Sequence, residues 1–233
     1  VQAFNHRVAN VIVNPENALR AAQPQAVKKE NLEDPEFRNS PQYFVGIEHV
    51  REKAGHDPIA MIAFKSVTSP SNSRTFIPCL LPPCGAGNSL VGIEAEKASR
   101  QEEALLLSNL GTLAFDFFAR QKVGGVNLNF FIVNQFPVLP LSSYSRQDID
   151  FIIPKIIRIV YNSKDLEQWA EEVSEESIRP AIFNEEKRSI ILAEIDAYYA
   201  KLYGLSRDEL RYILDPADLM GPDYPSETFR VLK

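Results

Sequence analysis

Residues 102–141, EEALLLSNLGTLAFDFFARQKVGGVNLNFFIVNQFPVLPL, are the densest apolar run in the chain, and their reading decides the fold. Leu106, Leu107, Leu110, Leu113, Ala114, Phe117 and Phe118 recur at helical spacing. That spacing predicts one wide buried stripe on a helix of about five turns, ending near Lys122. Gly124 and Gly125 can take the positive φ that stops a helix, and Asn127 can cap a short second helix carrying Leu128, Phe131, Ile132 and Gln135. Pro137 and Pro140 cannot continue a helix and favour an extended exit. The run therefore reads helix, glycine turn, short helix, extended proline segment.

Ahead of this run, strand patterns dominate. Residues 4–13, FNHRVANVIV, have strand-like composition, and Asn14-Pro15 closes them in a turn. The polar, proline-punctuated residues 14–41 read as a surface loop, with Lys28 and Lys29 on it. Tyr43, Val45 and Ile47 alternate with period two, predicting a half-buried strand before a charged stretch that turns at Gly55 and Asp57-Pro58. IAMIAFKSV from Ile59 is apolar on both faces and predicts a central strand. RTFIPCLLP and SLVGI supply two more, joined through Gly85 and Gly87.

Behind the run, helices dominate. Ser145 and Asp148 form a capping box ahead of Ile149, Ile152, Ile153, Ile156, Ile157 and Val160, in a helix that Pro154 is expected to kink or split. A short acidic helix from Leu166 to Val173 follows. Asn184 caps a long helix ending at Gly204, and Ser206 with Glu209 caps another that stops at Asp215-Pro216. Strands first and helices afterwards predict an α+β fold with a mixed sheet and packed helices rather than alternating βαβ units. The expected domains are an α+β unit over 1–142 and a helical C-terminal segment over 143–233.

The chain is 45% hydrophobic and 24% charged, ordinary for a folded globular protein. No apolar run is long enough for a membrane span and no signal-peptide pattern opens the chain, so a cytoplasmic location without membrane partners is expected. Charges of the two signs balance over 1–142, so the whole net charge of −6 falls in 143–233. The first region can face phosphate more readily than the second. Cys79 and Cys84 lack a matching histidine pair, which argues against zinc and against a disulfide framework. His6, His49 and His56 have no metal spacing.

The residues LLLSNLGTLAFDFFARQKVGG and NLNFFIVNQFPVLP within the central run resemble the end of the target-recognition domain in adenine-specific DNA methyltransferases and type IIG restriction-modification enzymes. AEIDAYYAKLYGLSRDELRYILDP and YPSETFRVLK are similar to the tail of large single-chain restriction-modification methylases, and Arg74-Thr75-Phe76 with residues 85–88 extend the likeness. The resemblance implies a fragment that binds duplex DNA and confers sequence specificity on an adenine-N6 methyltransferase, with the central helix supporting the recognition domain. It implies that S-adenosylmethionine, and magnesium where a nuclease is fused, are used by a catalytic domain of the same polypeptide. The start at Val1 without methionine agrees with a piece of a longer chain.

The catalytic elements of that class are missing. The Asn/Asp-Pro-Pro-aromatic motif that holds the target amino group has no match, since Asn14-Pro15-Glu16-Asn17 carries only two of its letters. Leu81-Pro82-Pro83-Cys84 reads as a turn, and Glu94-Ala95-Glu96-Lys97 as the start of a helix rather than a nuclease core. No residue is therefore assigned to catalysis or metal binding, and the fragment is expected to be catalytically silent. Recognition needs donors and acceptors for base edges and cations for phosphates. Residues 65–74 offer Lys65, Thr68, Ser71, Asn72 and Arg74 on a strand-to-strand turn, and residues 122–129 add Lys122, Asn127 and Asn129. Read singly, Arg74 suits a scaffold ion pair and Asn127 a helix cap. A module that docks a partner protein without touching DNA is the alternative.

Overall fold

The computed structural model describes residues 1–13, 22–41 and 43–224. The motif letters at Asn14-Pro15-Glu16-Asn17 and residues 225–233 lie outside them. Strands β1 (Ala9–Val13) and β2 (Ala22–Ala26) pair antiparallel, with Ala9 opposite Ala26. Helices α1 (Lys29–Glu33) and α2 (Ile47–Ala54) follow. Strand β3 (Met61–Lys65) is the centre of a three-stranded antiparallel sheet, flanked by β4 (Pro78–Leu81) and β5 (Leu90–Ile93). Helices α3 (Arg100–Leu110), α4 (Leu113–Lys122), α5 (Phe130–Val133), α6 (Arg146–Val160), α7 (Glu167–Ser174), α8 (Glu185–Leu202), α9 (Arg207–Leu214) and α10 (Ala217–Met220) complete a mixed α+β architecture. No helix among the described residues is long and apolar enough to cross a membrane.

The central run is two helices, not one of five turns. A capping box starts α3, with Glu102 N–H donating to Ser99 Oγ at 3.2 Å and Ser99 N–H to Glu102 Oε2 at 2.7 Å. The break falls at Gly111-Thr112. Thr112 Oγ accepts from Phe115 N–H at 3.3 Å and donates to Asn109 O at 2.8 Å, so it caps α4 from inside the run. A Cβ on Gly111 would stand 1.9 Å from the Phe4 ring, so only glycine admits that ring beside the break. The interruption resets the helical phase. Leu107, Leu110, Leu113 and Ala114 are buried as expected, whereas Phe118 is 40% exposed and Leu105 and Phe115 are buried in its place.

Other expectations are corrected locally. Gly124 and Gly125 are not in the positive-φ region; α4 ends instead with Val123 extended. Asn127 caps nothing, since α5 begins after Asn129 and Asn127 is paired in a β-bridge. Residues 43–47 form no strand: Tyr43, Val45 and Ile47 are all exposed, so the alternation buries no face, and Ile47 opens α2. The stretch expected as a loop over 14–41 contains β2 and α1. Residues 94–97 precede α3 without being helical, and Lys97 adopts φ 62°. Pro154 does not split α6: it lies on the solvent face with Asp150, whose freed carbonyl can be hydrated.

One core joins the sheet to the helices. Phe64 stacks on Phe76 at 5.0 Å, and Phe115 and Phe136 meet Phe76 edge-on at 5.1 and 6.2 Å. Each such ring is worth about 1.5–3 kcal/mol when fully buried. The same cluster continues through Leu105, Ile152, Ile156, Trp169, Val173, Ile195 and Tyr199, so it has members on both sides of residue 142. Two guanidinium groups gather at the C-terminal end of α6, one meeting a carbonyl of its last turn and the other tying down the segment that follows. Buried Arg7 donates to Asn162 O at 2.7 Å and to the carbonyls of Leu32 and Asp34 at 2.8 Å. Arg188 donates to Ile159 O. Burial, then repulsion from Arg7, pushes the Arg188 guanidinium down to about 10, so it stays charged at neutral pH.

Candidate nucleic-acid interface

Beyond β3 the chain bends at Ser66, and at Val67 it meets the second of the two candidate loops. Thr68 N–H donates to Val126 O at 2.9 Å and Leu128 N–H to Ser66 O at 2.8 Å, with Val67 opposite Asn127 in an antiparallel bridge. Opposed residues share a face. Val67 and Asn127 therefore project together and both are exposed, while Leu128 turns inward and is 2% exposed. Loops separated by more than fifty residues become one surface.

Charged groups beneath hold this surface. Asp116 and Arg120, one turn apart on α4, form a 3.0 Å ion pair with both side chains 1% exposed. Asp116 Oδ1 accepts from Thr75 N–H at 2.7 Å and Phe76 N–H at 2.6 Å, which fixes the entry to β4. Arg120 donates to Pro70 O, and to Asn72 O at 3.0 Å, threading the 70–73 loop onto α4. Arg74 completes the set through a 3.0 Å pair with Asp196 of α8, at 16% and 13% exposure. Asp196 also accepts Leu113 N–H at 2.7 Å, an otherwise unpartnered donor of the first turn of α4. Burial pushes the carboxyls of Asp116 and Asp196 above the usual range, while Arg74 opposes the shift at both sites. Two carboxylates and two guanidinium groups make the cluster neutral overall.

Of the eight candidate residues, two are committed inside the fold. Arg74 is engaged by Asp196, and Thr68 is buried with its hydroxyl donating to Thr75 O at 2.6 Å. Ser71 shares a 2.8 Å hydrogen bond with Ser69 and is half-buried, as is Lys65 at the end of β3. Asn72, Lys122, Asn127 and Asn129 are exposed. The residues that organise the surface, Asp116, Arg120 and Asp196, were not singled out from the sequence. A signal for two of them was there: an acid and an arginine at i,i+4 inside the apolar stretch AFDFFAR.

A second signal lies in what the two segments lack. No aspartate or glutamate occurs between Asp57 and Glu94, nor between Asp116 and Asp148. The bridge at Val67 and Asn127 joins these two acid-free segments. The two joined segments thus carry amides, hydroxyls and lysines and no carboxylate of their own, and the acids that meet them, Asp116 and Asp196, are engaged by Arg120 and Arg74.

Elsewhere, His6 pairs with Asp165 at 2.9 Å and His49 lies 3.8 Å from both Glu48 and Glu52. Among the described residues no group of three or more His, Cys, Asp or Glu is gathered so as to hold a metal ion. No protein-family model matches the chain, and neither a curated protein nor a solved structure matches it.

Proposed function

We propose that this chain is the DNA sequence-recognition part of a restriction-modification adenine-N6 DNA methyltransferase. It binds duplex DNA and positions it for a catalytic domain elsewhere in the same cytoplasmic polypeptide. That domain uses S-adenosylmethionine, and magnesium where a nuclease is fused to it. The observation that carries the reading is the joining of 66–68 to 126–128, which places two acid-free segments side by side with Asn72, Lys122, Asn127 and Asn129 exposed. Duplex DNA repels carboxylates and is held by cations and neutral donors. The chain carries 31 acidic residues, so two acid-free segments brought side by side are a local feature and not a consequence of composition.

Fluorescence anisotropy of labelled mixed-sequence duplexes, titrated with the chain from low to physiological salt, tests this. Binding is expected to weaken linearly on a log-log plot, and Lys122→Ala to reduce the slope by about one. No binding at low salt, or binding indifferent to salt, refutes the reading. A docking module is the second reading, and one observation favours it. Phe44 is 88% exposed beside Val45, which lines a cleft of about 580 Å³ between α2 and the sheet. A chain that binds no duplex but holds its own catalytic domain through this cleft would establish that reading.

A further inference from the structure

Phe130 and Phe131 open α5 with 68% and 66% of their surfaces exposed, and Val126 beside them is 65% exposed. Exposed aromatic pairs of this kind mark a surface that is covered in use. The pair stands on a rigid base. Leu128, 2% exposed, and Phe136, 8% exposed, anchor the segment on either side, and Ile132 and Val133 pack against the core. Gln135 Nε2 donates to Phe131 O at 2.7 Å, closing the turn from its far end. The exit is tied down as well: Asn109 Oδ1 accepts Leu139 N–H at 3.0 Å and Tyr203 donates to Pro137 O at 2.9 Å. Rings held this way enter a partner without the segment having to be ordered first.

What surrounds the rings selects the partner. Lys122, Asn127 and Asn129 are exposed along the same segment, and no carboxylate occurs between Asp116 and Asp148. An apolar protein surface has no need of this acid-free, amide-rich rim. A nucleic acid does, since its phosphates take the lysine, its base edges the amides, and its base faces the rings.

We propose that Phe130 and Phe131 form an aromatic wedge that stacks on nucleobases and opens a base step of the bound duplex. The wedge rests on the DNA-recognition reading above and goes further by assigning the residues that deform the DNA. Asn127 and Asn129 flank the opened step, and Lys122 holds an adjacent phosphate.

The test uses the whole chain and mixed-sequence duplexes carrying 2-aminopurine, whose fluorescence rises when its stacking is broken. Binding is followed by anisotropy at low salt. The expected result is a fluorescence rise on binding by the parent chain. That rise is lost in the double variant Phe130→Ala/Phe131→Ala, together with about tenfold of affinity. Phe130→Leu/Phe131→Leu, which keeps an apolar wedge but no ring faces, is expected to keep part of the rise and to bind more tightly than the alanine pair. Lys122→Ala is expected to weaken binding while keeping the rise. Both rings are exposed, so the thermal midpoint of the alanine pair should match the parent's, which separates lost stacking from lost folding. If the parent binds and the alanine pair binds equally well, the wedge is overturned and the recognition reading stands; the rings then seat another part of the polypeptide. If the parent binds no duplex, the recognition reading falls and the wedge with it.

Discussion

Replacing Asp196 with alanine removes one carboxylate and leaves two groups without partners. Arg74 loses its 3.0 Å ion pair, and Leu113 N–H loses its 2.7 Å acceptor at the start of α4. Breaking a buried ion pair by deleting one partner costs about 3–5 kcal/mol, and a lost helix cap about 1 kcal/mol. The pair is not fully sealed, at 16% and 13% exposure, and Arg74 keeps the field of Asp116, so its loss falls below that range, at about 2 kcal/mol, and the cap brings the total to about 3 kcal/mol. For a chain of this size that corresponds to a melting midpoint lower by about 6–12 °C, read by thermal or urea unfolding followed by circular dichroism. Asp196→Asn keeps an acceptor for Leu113 N–H and should cost less than the alanine. Arg74→Ala should destabilise by a similar amount, and the double variant by less than the sum, since the two residues interact directly. Coincident unfolding of Asp196→Ala and the parent would refute the view that this cluster holds the 65–74 loop. If Arg74→Ala weakened DNA binding while leaving stability untouched, Arg74 would belong to the interface rather than to its support.

Other expectations concern the core, the termini of helices and the thiols. Leu110→Ala and Phe115→Ala, both at buried positions, should each lower stability by about 2–5 kcal/mol, while Phe118→Ala, on the exposed side of α4, should stay within about 0.5 kcal/mol; urea midpoints decide this. Hydrogen bonds from Ser145 and Tyr198 hold the Asp148 carboxyl below its ordinary value of 3.8, and those from Ser206 hold Glu209 below 4.5. A lowered folded-state value means stability that is present above the ordinary value and lost as pH falls through the folded one, so α6 and α9 should loosen in the acid range below about pH 4. Amide exchange of their first turns between pH 5 and 3 reads this out, and Ser145→Ala should reduce the pH dependence at α6, leaving the share held by Tyr198. Burial pushes the Cys79 thiol up to about 12 and the Cys84 thiol up as well, so neither should react promptly with a disulfide reagent at pH 8 until denaturant is added.

The sequence by itself determined most of the helix ends that depend on neighbours within about four residues, though not the stop at Gly124-Gly125 or the cap at Asn127. The boxes at Ser145 with Asp148 and Ser206 with Glu209, the Asn184 cap and the stop at Gly204 with φ 72° all stand where local chemistry requires them. The apolar runs at β3, β4 and β5 are equally legible, since a run flanked by turn residues needs only a neighbour of the same kind. The candidate loops were legible as compositions, but not as one surface. Their joining at Val67 and Asn127, and the engagement of Arg74 by Asp196, depend on groups far apart in the chain that no local spacing records. At the break in the central helix, Phe4, more than a hundred residues upstream, occupies the space beside Gly111, a contact that no local spacing records. Residues 43–47 show the converse: their alternation predicts a strand, yet they form none and Tyr43, Val45 and Ile47 stay exposed, and whether an alternating segment is paired and buried is decided only by the assembled fold.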